Sequence, residues 1–135
     1  MGLFTRNSLS GIVNRRKTTI KKFGSPTYVW ETGIIVAAAT EYCGVSNMFP
    51  AAAKYQPLDC VEIINNSAQN VRVWLNGVAL NYLVPAGTIR EITEQAFWDI
   101  TVENIGAGNT VAGEVALSLK RGAYTVDKAA QGFSF

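Results

Sequence analysis

The sequence predicts an all-β protein, an antiparallel β-sandwich of jelly-roll type with an extended basic N-terminal arm. Three observations carry this expectation. Six or seven short apolar runs follow one another at spacings of about 8 to 14 residues, separated by Gly, Pro, Asn and Asp turn chemistry. Asn76-Gly77 lies between two such runs, and this dipeptide readily adopts the positive φ values that a tight hairpin turn demands. No stretch holds a helical period for long enough to form a substantial helix. With 135 residues the chain suffices for one two-layer core and is too short for two.

Residues 1–25 form the arm. They contain Arg6, Arg15, Arg16, Lys17, Lys21 and Lys22 and no acid, which is half of the chain's 12 cations. Leu9, Ile12, Val13 and Ile20 fit a helical stripe, but Gly11, Asn14 and Thr18-Thr19 weaken it, so the arm is expected to be extended or partly helical. Gly24-Ser25-Pro26 ends the arm and opens the body, residues 26–122. Tyr28 to Ala39 leans to β structure through Val29, Trp30, Ile34, Ile35 and Val36, with Gly33 marking a bulge or bend. Glu41 to Gln56 is punctuated by Gly, Asn and Pro. Within it, Met48-Phe49-Pro50 and the alanines after them make either a short helical turn or an exposed apolar loop, which in the second case is a contact surface.

Leu58 to Asn65 reads as a strand, and Asn65-Asn66-Ser67 turns the chain into the hairpin. Folding about a two-residue Asn76-Gly77 turn sets Leu75 opposite Val78, Val73 opposite Leu80 and Val71 opposite Tyr82, so the apolar side chains share one face. Trp74 and Leu83 then point away from the core and suggest a second buried surface. Pro85-Ala86-Gly87 suits a type II-like turn, Pro presetting φ and Gly taking the positive value, and Thr88 to Thr93 follows as a strand. Trp98, Ile100 and Val102 alternate with Asp99, Thr101 and Glu103, and Gly106 to Asn109 turns the chain again. In the last strand Val111, Gly113, Val115, Leu117 and Leu119 line one face. Residues 123–135 are a tail in which Phe133 and Phe135 either plug a groove on a neighbouring subunit, the favoured expectation, or simply fray.

Composition narrows the function. An apolar fraction of 48% with only 16% charged residues favours a subunit whose surface is covered by companions. Beyond residue 25, six cations face ten acids, so a basic arm is joined to a mildly acidic body. Such an arm suits phosphate or anionic surfaces, where each cation displaces a counterion. There is no histidine, which removes His-dependent bases and the usual zinc and haem sites, and no cofactor is expected. Cys43 and Cys60 are read as reduced, partly buried thiols, although a single disulfide is sterically possible. The N-terminus lacks the apolar run of a secretory signal, and Gly33 to Ala39, the longest apolar window, is too short to cross a bilayer.

Glu91, Glu94, Asp99 and Glu103 offer a carboxylate pair for glycosidic hydrolysis, but in alternating strands such acids are ordinarily the solvated face. Gly106-Ala107-Gly108 precedes a strand rather than a helix, so it lacks the context of a phosphate-binding loop. Sugar binding is the stronger rival, because Trp74, Tyr82, Trp30 and Trp98 could build an aromatic platform. The hairpin register puts Tyr82 on the core face and alternation puts Trp98 with Ile100, which leaves Trp74 and Trp30 for a partner.

The arrangement Val61-Glu-Ile-Ile-Asn-Asn-Ser67, Val71-Arg-Val-Trp-Leu-Asn-Gly77, Leu83-Val-Pro-Ala-Gly-Thr88, Trp98-Asp-Ile-Thr-Val-Glu-Asn104 and Ala112-Gly-Glu-Val115 resembles small β-sandwich virion proteins of phages and related viruses. The likeness spans residues 58–120 and consists of turn and strand signals. It implies a non-enzymatic coat, capsid-decorating, fibre or spike subunit that forms homo-oligomers and meets other virion proteins. The basic arm is closer to coat proteins, whose arms face packaged nucleic acid or run beneath neighbours. The expectation is therefore a virion structural protein. Arg6, Arg15, Arg16, Lys17, Lys21 and Lys22 would contact nucleic acid or neighbours, and Trp74, Leu83, Met48, Phe49, Phe133 and Phe135 would lie at subunit interfaces. The alternative is a carbohydrate- or receptor-binding module of a viral fibre or spike.

Overall fold

The computed structural model describes residues 24–122, in which eight strands form two antiparallel four-stranded sheets. The strands are β1 (Tyr28–Glu31), β2 (Thr40–Gly44), β3 (Cys60–Asn65), β4 (Val71–Leu75), β5 (Leu80–Val84), β6 (Thr88–Ile92), β7 (Asp99–Asn104) and β8 (Val115–Lys120). One sheet has the order β1-β8-β3-β6 and the other β2-β7-β4-β5. The pairing is nested: β4 pairs with β5, β3 with β6, β2 with β7 and β1 with β8. Two further ladders, β3 with β8 and β4 with β7, wrap this long antiparallel ribbon into two layers.

Alternation along each strand fills the space between the layers. Val61, Ile63, Val115, Leu117, Leu119 and Trp30 face inward from the β1 sheet; Val71, Val73, Leu75, Ile100, Val102 and Cys43 meet them from the β2 sheet. Leu58 and Phe97, joined by an isolated bridge and fully buried, close the core at one end. At the side between β5 and β6, Arg90 lies over the Tyr82 ring at 5.0 Å and donates to the Leu83 carbonyl.

Several expectations change in detail. Asn76 and Gly77 do take positive φ, at 55° and 72°, yet the hairpin register is Leu75 to Leu80, Val73 to Tyr82 and Val71 to Val84. The turn closes on itself only by a long bond from Ala79 N to the Asn76 carbonyl, at 3.4 Å, and is also fastened sideways. Asn76 accepts from Trp98 N at 2.9 Å and donates to the Ala96 carbonyl, and Gly77 N donates to Asp99 Oδ1. The chain therefore spends Val78 and Ala79 before pairing again, and Val78 is 86% exposed. Because the slip is two residues, the faces survive.

The 85–88 turn has its positive φ at Gly87, but Pro85 supplies the accepting carbonyl rather than a central residue. β1 stops at Glu31, and β2 arises in a segment read as turns. Val111 and Gly113 belong to a loop, since β8 begins at Val115. The Met48 segment is helical, a turn over Val45–Met48 followed by a 3-10 turn over Pro50–Tyr55.

Two buried asparagines organise the loops, and they do so by the same pattern. Asn65, at the end of β3, donates to the Gln69 and Val84 carbonyls and accepts from Ser67 N. Asn104, at the end of β7, donates to the Gly108 and Ile35 carbonyls and accepts from Gly106 N. Asn70 and Asn109 then extend the parallel, accepting from Ala86 N and Ala37 N. Among the described residues no buried side-chain polar atom lacks a partner.

Candidate assembly surfaces

The outer face of the β2 sheet is built by the residues that alternate with its core. Register places Tyr42, Thr101, Trp74 and Asn81 in one row across β2, β7, β4 and β5, and Thr40, Glu103, Arg72 and Leu83 in the next. Tyr42 is exposed and Trp74 half-buried, its indole Nε1 donating to Glu103 Oε1 at 3.1 Å. Arg72 bonds to Asn81 across the β4 and β5 strands. This gives two aromatic side chains about two strand spacings, roughly 10 Å, apart with polar groups between them.

Trp74 and Leu83 thus stand where the alternation puts them, on the outside. The assignments of Trp30 and Trp98 reverse. Trp30 is 4% exposed and belongs to the core, because β1 directs it inward against β8. Trp98 is 52% exposed, because β7 begins only at Asp99 and the preceding bend breaks the alternation that aligned Trp98 with Ile100. Tyr82 faces inward as the hairpin faces require. Tyr42 was missed for want of a visible strand: only Cys43 and Val45 alternate around it.

Met48 and Phe49 share the helical segment but differ in exposure. Met48 is exposed, with its sulfur 3.6 Å from Cys43 Sγ, whereas Phe49 is partly buried against the core and 5.4 Å from the Tyr28 ring. Arg6, Arg15, Arg16, Lys17, Lys21, Lys22, Phe133 and Phe135 lie outside the described residues.

On the outer face of the β1 sheet, Thr27, Cys60, Glu62, Glu91, Ser118 and Lys120 line a groove of about 280 Å³. Glu62 and Glu91 are direct cross-strand neighbours, a like-charge pairing that costs stability, and Lys120 stands opposite Cys60. Both cysteines are free. Burial pushes the Cys43 thiol up to about 11, helped by the charges of Asp99 and Glu41. Burial also raises Cys60, so at neutral pH both remain in the weakly nucleophilic thiol form. Of the four carboxylates considered for hydrolysis, Asp99 and Glu103 accept from Gly77 N and from Trp74. Among the described residues no helix is long and apolar enough to cross a membrane. The chain matches no family model, no characterised protein and no solved structure with which it was compared.

Proposed function

We propose that this protein is a structural subunit of a virus particle, a coat or capsid-associated protein that works by assembling with copies of itself and with other virion proteins. The single observation that carries the reading is the strand order. A nested eight-strand ribbon wrapped into β1-β8-β3-β6 over β2-β7-β4-β5 supports a jelly-roll reading, an architecture that capsid domains and lectins employ. The low charge and the acid-free arm support the capsid over the lectin. In this reading the six arm cations hold neighbouring subunits or packaged nucleic acid, a contribution screened by salt.

The test compares the full chain with a variant lacking residues 1–24, measuring particle size by light scattering and electron microscopy and nucleic-acid retention across salt. The full chain should form large discrete assemblies. Its nucleic-acid affinity should drop about a thousandfold between roughly 50 and 200 mM salt, and the truncated chain should lose that dependence. A monomer that retains no nucleic acid would remove the reading.

A second reading, a carbohydrate-binding module of a fibre or spike, is favoured by the Tyr42, Thr101, Trp74 and Asn81 row. Trp74→Ala separates the two. Loss of glycan binding by a protein that stays monomeric supports the module, and lost assembly supports the shell.

A further inference from the structure

The acids of the body are not used alike. Glu41, Asp59, Asp99, Glu103 and Glu114 each accept a hydrogen bond from a backbone or indole N–H, on Gly33, Gly122, Gly77, Trp74 and Val111 in turn. The outer face of the β1 sheet holds three others. Register sets Val29, Ser118, Glu62 and Glu91 in one row across β1, β8, β3 and β6, and Glu31, Ala116, Ile64 and Ile89 in the next. Glu62 and Glu91 stand side by side at the groove, where the Cys60 thiol, 4.0 Å from Glu91 Oε1, brings no positive charge.

Among the described residues one cation shares this face, Lys120, which stands opposite Cys60. The others are turned elsewhere. Arg72 bonds to Asn81 on the β2 sheet, Arg90 lies over the Tyr82 ring, Arg121 donates to the Tyr55 carbonyl, and Lys54 lies over the Tyr55 ring at 5.2 Å. The face therefore sets Glu31, Glu62 and Glu91 against Lys120 alone, with Val29 and Ile89 55% and 64% exposed among them. A polyanion meets like charge there, and so does the body of a second copy, with its five cations against nine acids. A cationic segment that also carries apolar side chains is matched on both counts.

The chain supplies such a segment at the rim of the groove. Residues 1–23 carry six cations and no acid, whereas the charges of the tail, Asp127 and Lys128, cancel. Thr27 lines the groove, Ser25 is bonded to Arg121, and Gly24 bends the chain there with a φ of 73°. Lys22 precedes Thr27 by five residues, a reach of up to roughly 17 Å, while β3 and β6 lie two and three strand spacings from β1, roughly 10 and 14 Å. We infer that Lys21 and Lys22 rest on Glu62 and Glu91 of their own chain, with Ile20 and Phe23 flanking them against the apolar part of the same face. The contact offsets the repulsion between the two glutamates. It leaves Arg6, Arg15, Arg16 and Lys17 for neighbours or nucleic acid, so it goes beyond the assembly reading and does not depend on it.

Carbodiimide coupling of the full chain tests it, because the reagent joins a lysine amine to a carboxylate only where the two meet. In chain freed of nucleic acid and held at roughly 50 mM salt, peptide mass spectrometry should find Lys21 or Lys22 joined to Glu62 or Glu91, with the yield falling about fivefold or more at roughly 1 M salt. Isotope-labelled and unlabelled chains are mixed before coupling. Joined peptides of uniform label support the inference, and joined peptides of mixed label overturn it by assigning the arm to another copy. As a second measurement, trypsin should cut after Lys21 and Lys22 about three to ten times faster in Glu62→Gln/Glu91→Gln than in wild type, the range that two exposed ion pairs supply. Circular dichroism checks that this variant is folded; if it is not, the coupling result decides alone. No link to Glu62 or Glu91, or cleavage of the folded variant at the wild-type rate, overturns the inference. Either failure leaves the assembly reading standing, since that reading is decided by particle size and nucleic-acid retention.

Discussion

Asn65 and Asn104 show how much a single side chain decides in this protein. Each ends a strand, is fully buried, and spends both amide hydrogens on two carbonyls, Asn65 on Gln69 and on Val84 at the end of β5, and Asn104 on Gly108 and Ile35 in two different loops. The stretches Asn65-Asn66-Ser67-Ala68 and Asn104-Ile105-Gly106-Ala107 carry a visible likeness, but composition reads both only as turns. Cys43 makes the residue scale measurable. Its pKa is raised from 9.0 to about 11 in the folded chain, so folding favours the protonated thiol. The stability this contributes is complete below about pH 9 and is lost as pH rises toward 11. Urea melts between pH 8 and 11 should show the folded chain weakening over that window, and Cys43→Ala should flatten the dependence. Equal pH profiles for the two proteins would exclude the thiol as the cause.

At the scale of elements, the hairpin teaches most. Asn-Gly specified the backbone conformation correctly, and the period of two specified the faces, yet the register moved because Asn76 and Gly77 bond to residues 96–99 of the neighbouring segment. That distinction has a direct consequence. A two-residue turn would bury Val78 opposite Leu75, whereas the structure leaves Val78 in solvent and buries Val84. Val78→Ser should therefore change stability by less than about 0.5 kcal/mol, and Val84→Ala should cost about 2 kcal/mol, both read from urea midpoints. The reverse ranking would reinstate the shorter turn. β2 was illegible for a related reason: Glu41, Tyr42 and Gly44 give no apolar alternation, and the strand exists because β7 offers its edge.

Over the whole molecule, the outermost pairing joins the first strand to the last. β1 is only four residues long, yet it pairs with β8 and delivers Trp30 into the core. Trp30→Ala should cost about 3 to 5 kcal/mol in chemical unfolding, as for other buried aromatics, while Trp98→Ala at its exposed bend should cost less than about 1 kcal/mol. A small effect at Trp30 would mean that β1 is dispensable to the sandwich. Nested pairing also makes many contacts distant in sequence, which slows folding relative to a helical protein of this length. It places Ser25 and Arg121, at the two ends of the described body, at one pole and the connections 32–39, 66–70, 85–87 and 105–114 at the other.

The sequence by itself determined the all-β class, the inward and outward faces of β4, β5, β7 and β8, and the positive-φ turn at Asn76-Gly77. Those properties follow from backbone sterics and the two-residue period, which are local. Tertiary structure decided the hairpin register, the existence of β2, the fates of Trp30 and Trp98, and the gathering of four loops at one end. Each of these depends on a hydrogen-bond partner or a sheet neighbour supplied by a remote part of the chain, and such partners leave no periodic mark in the residues they hold.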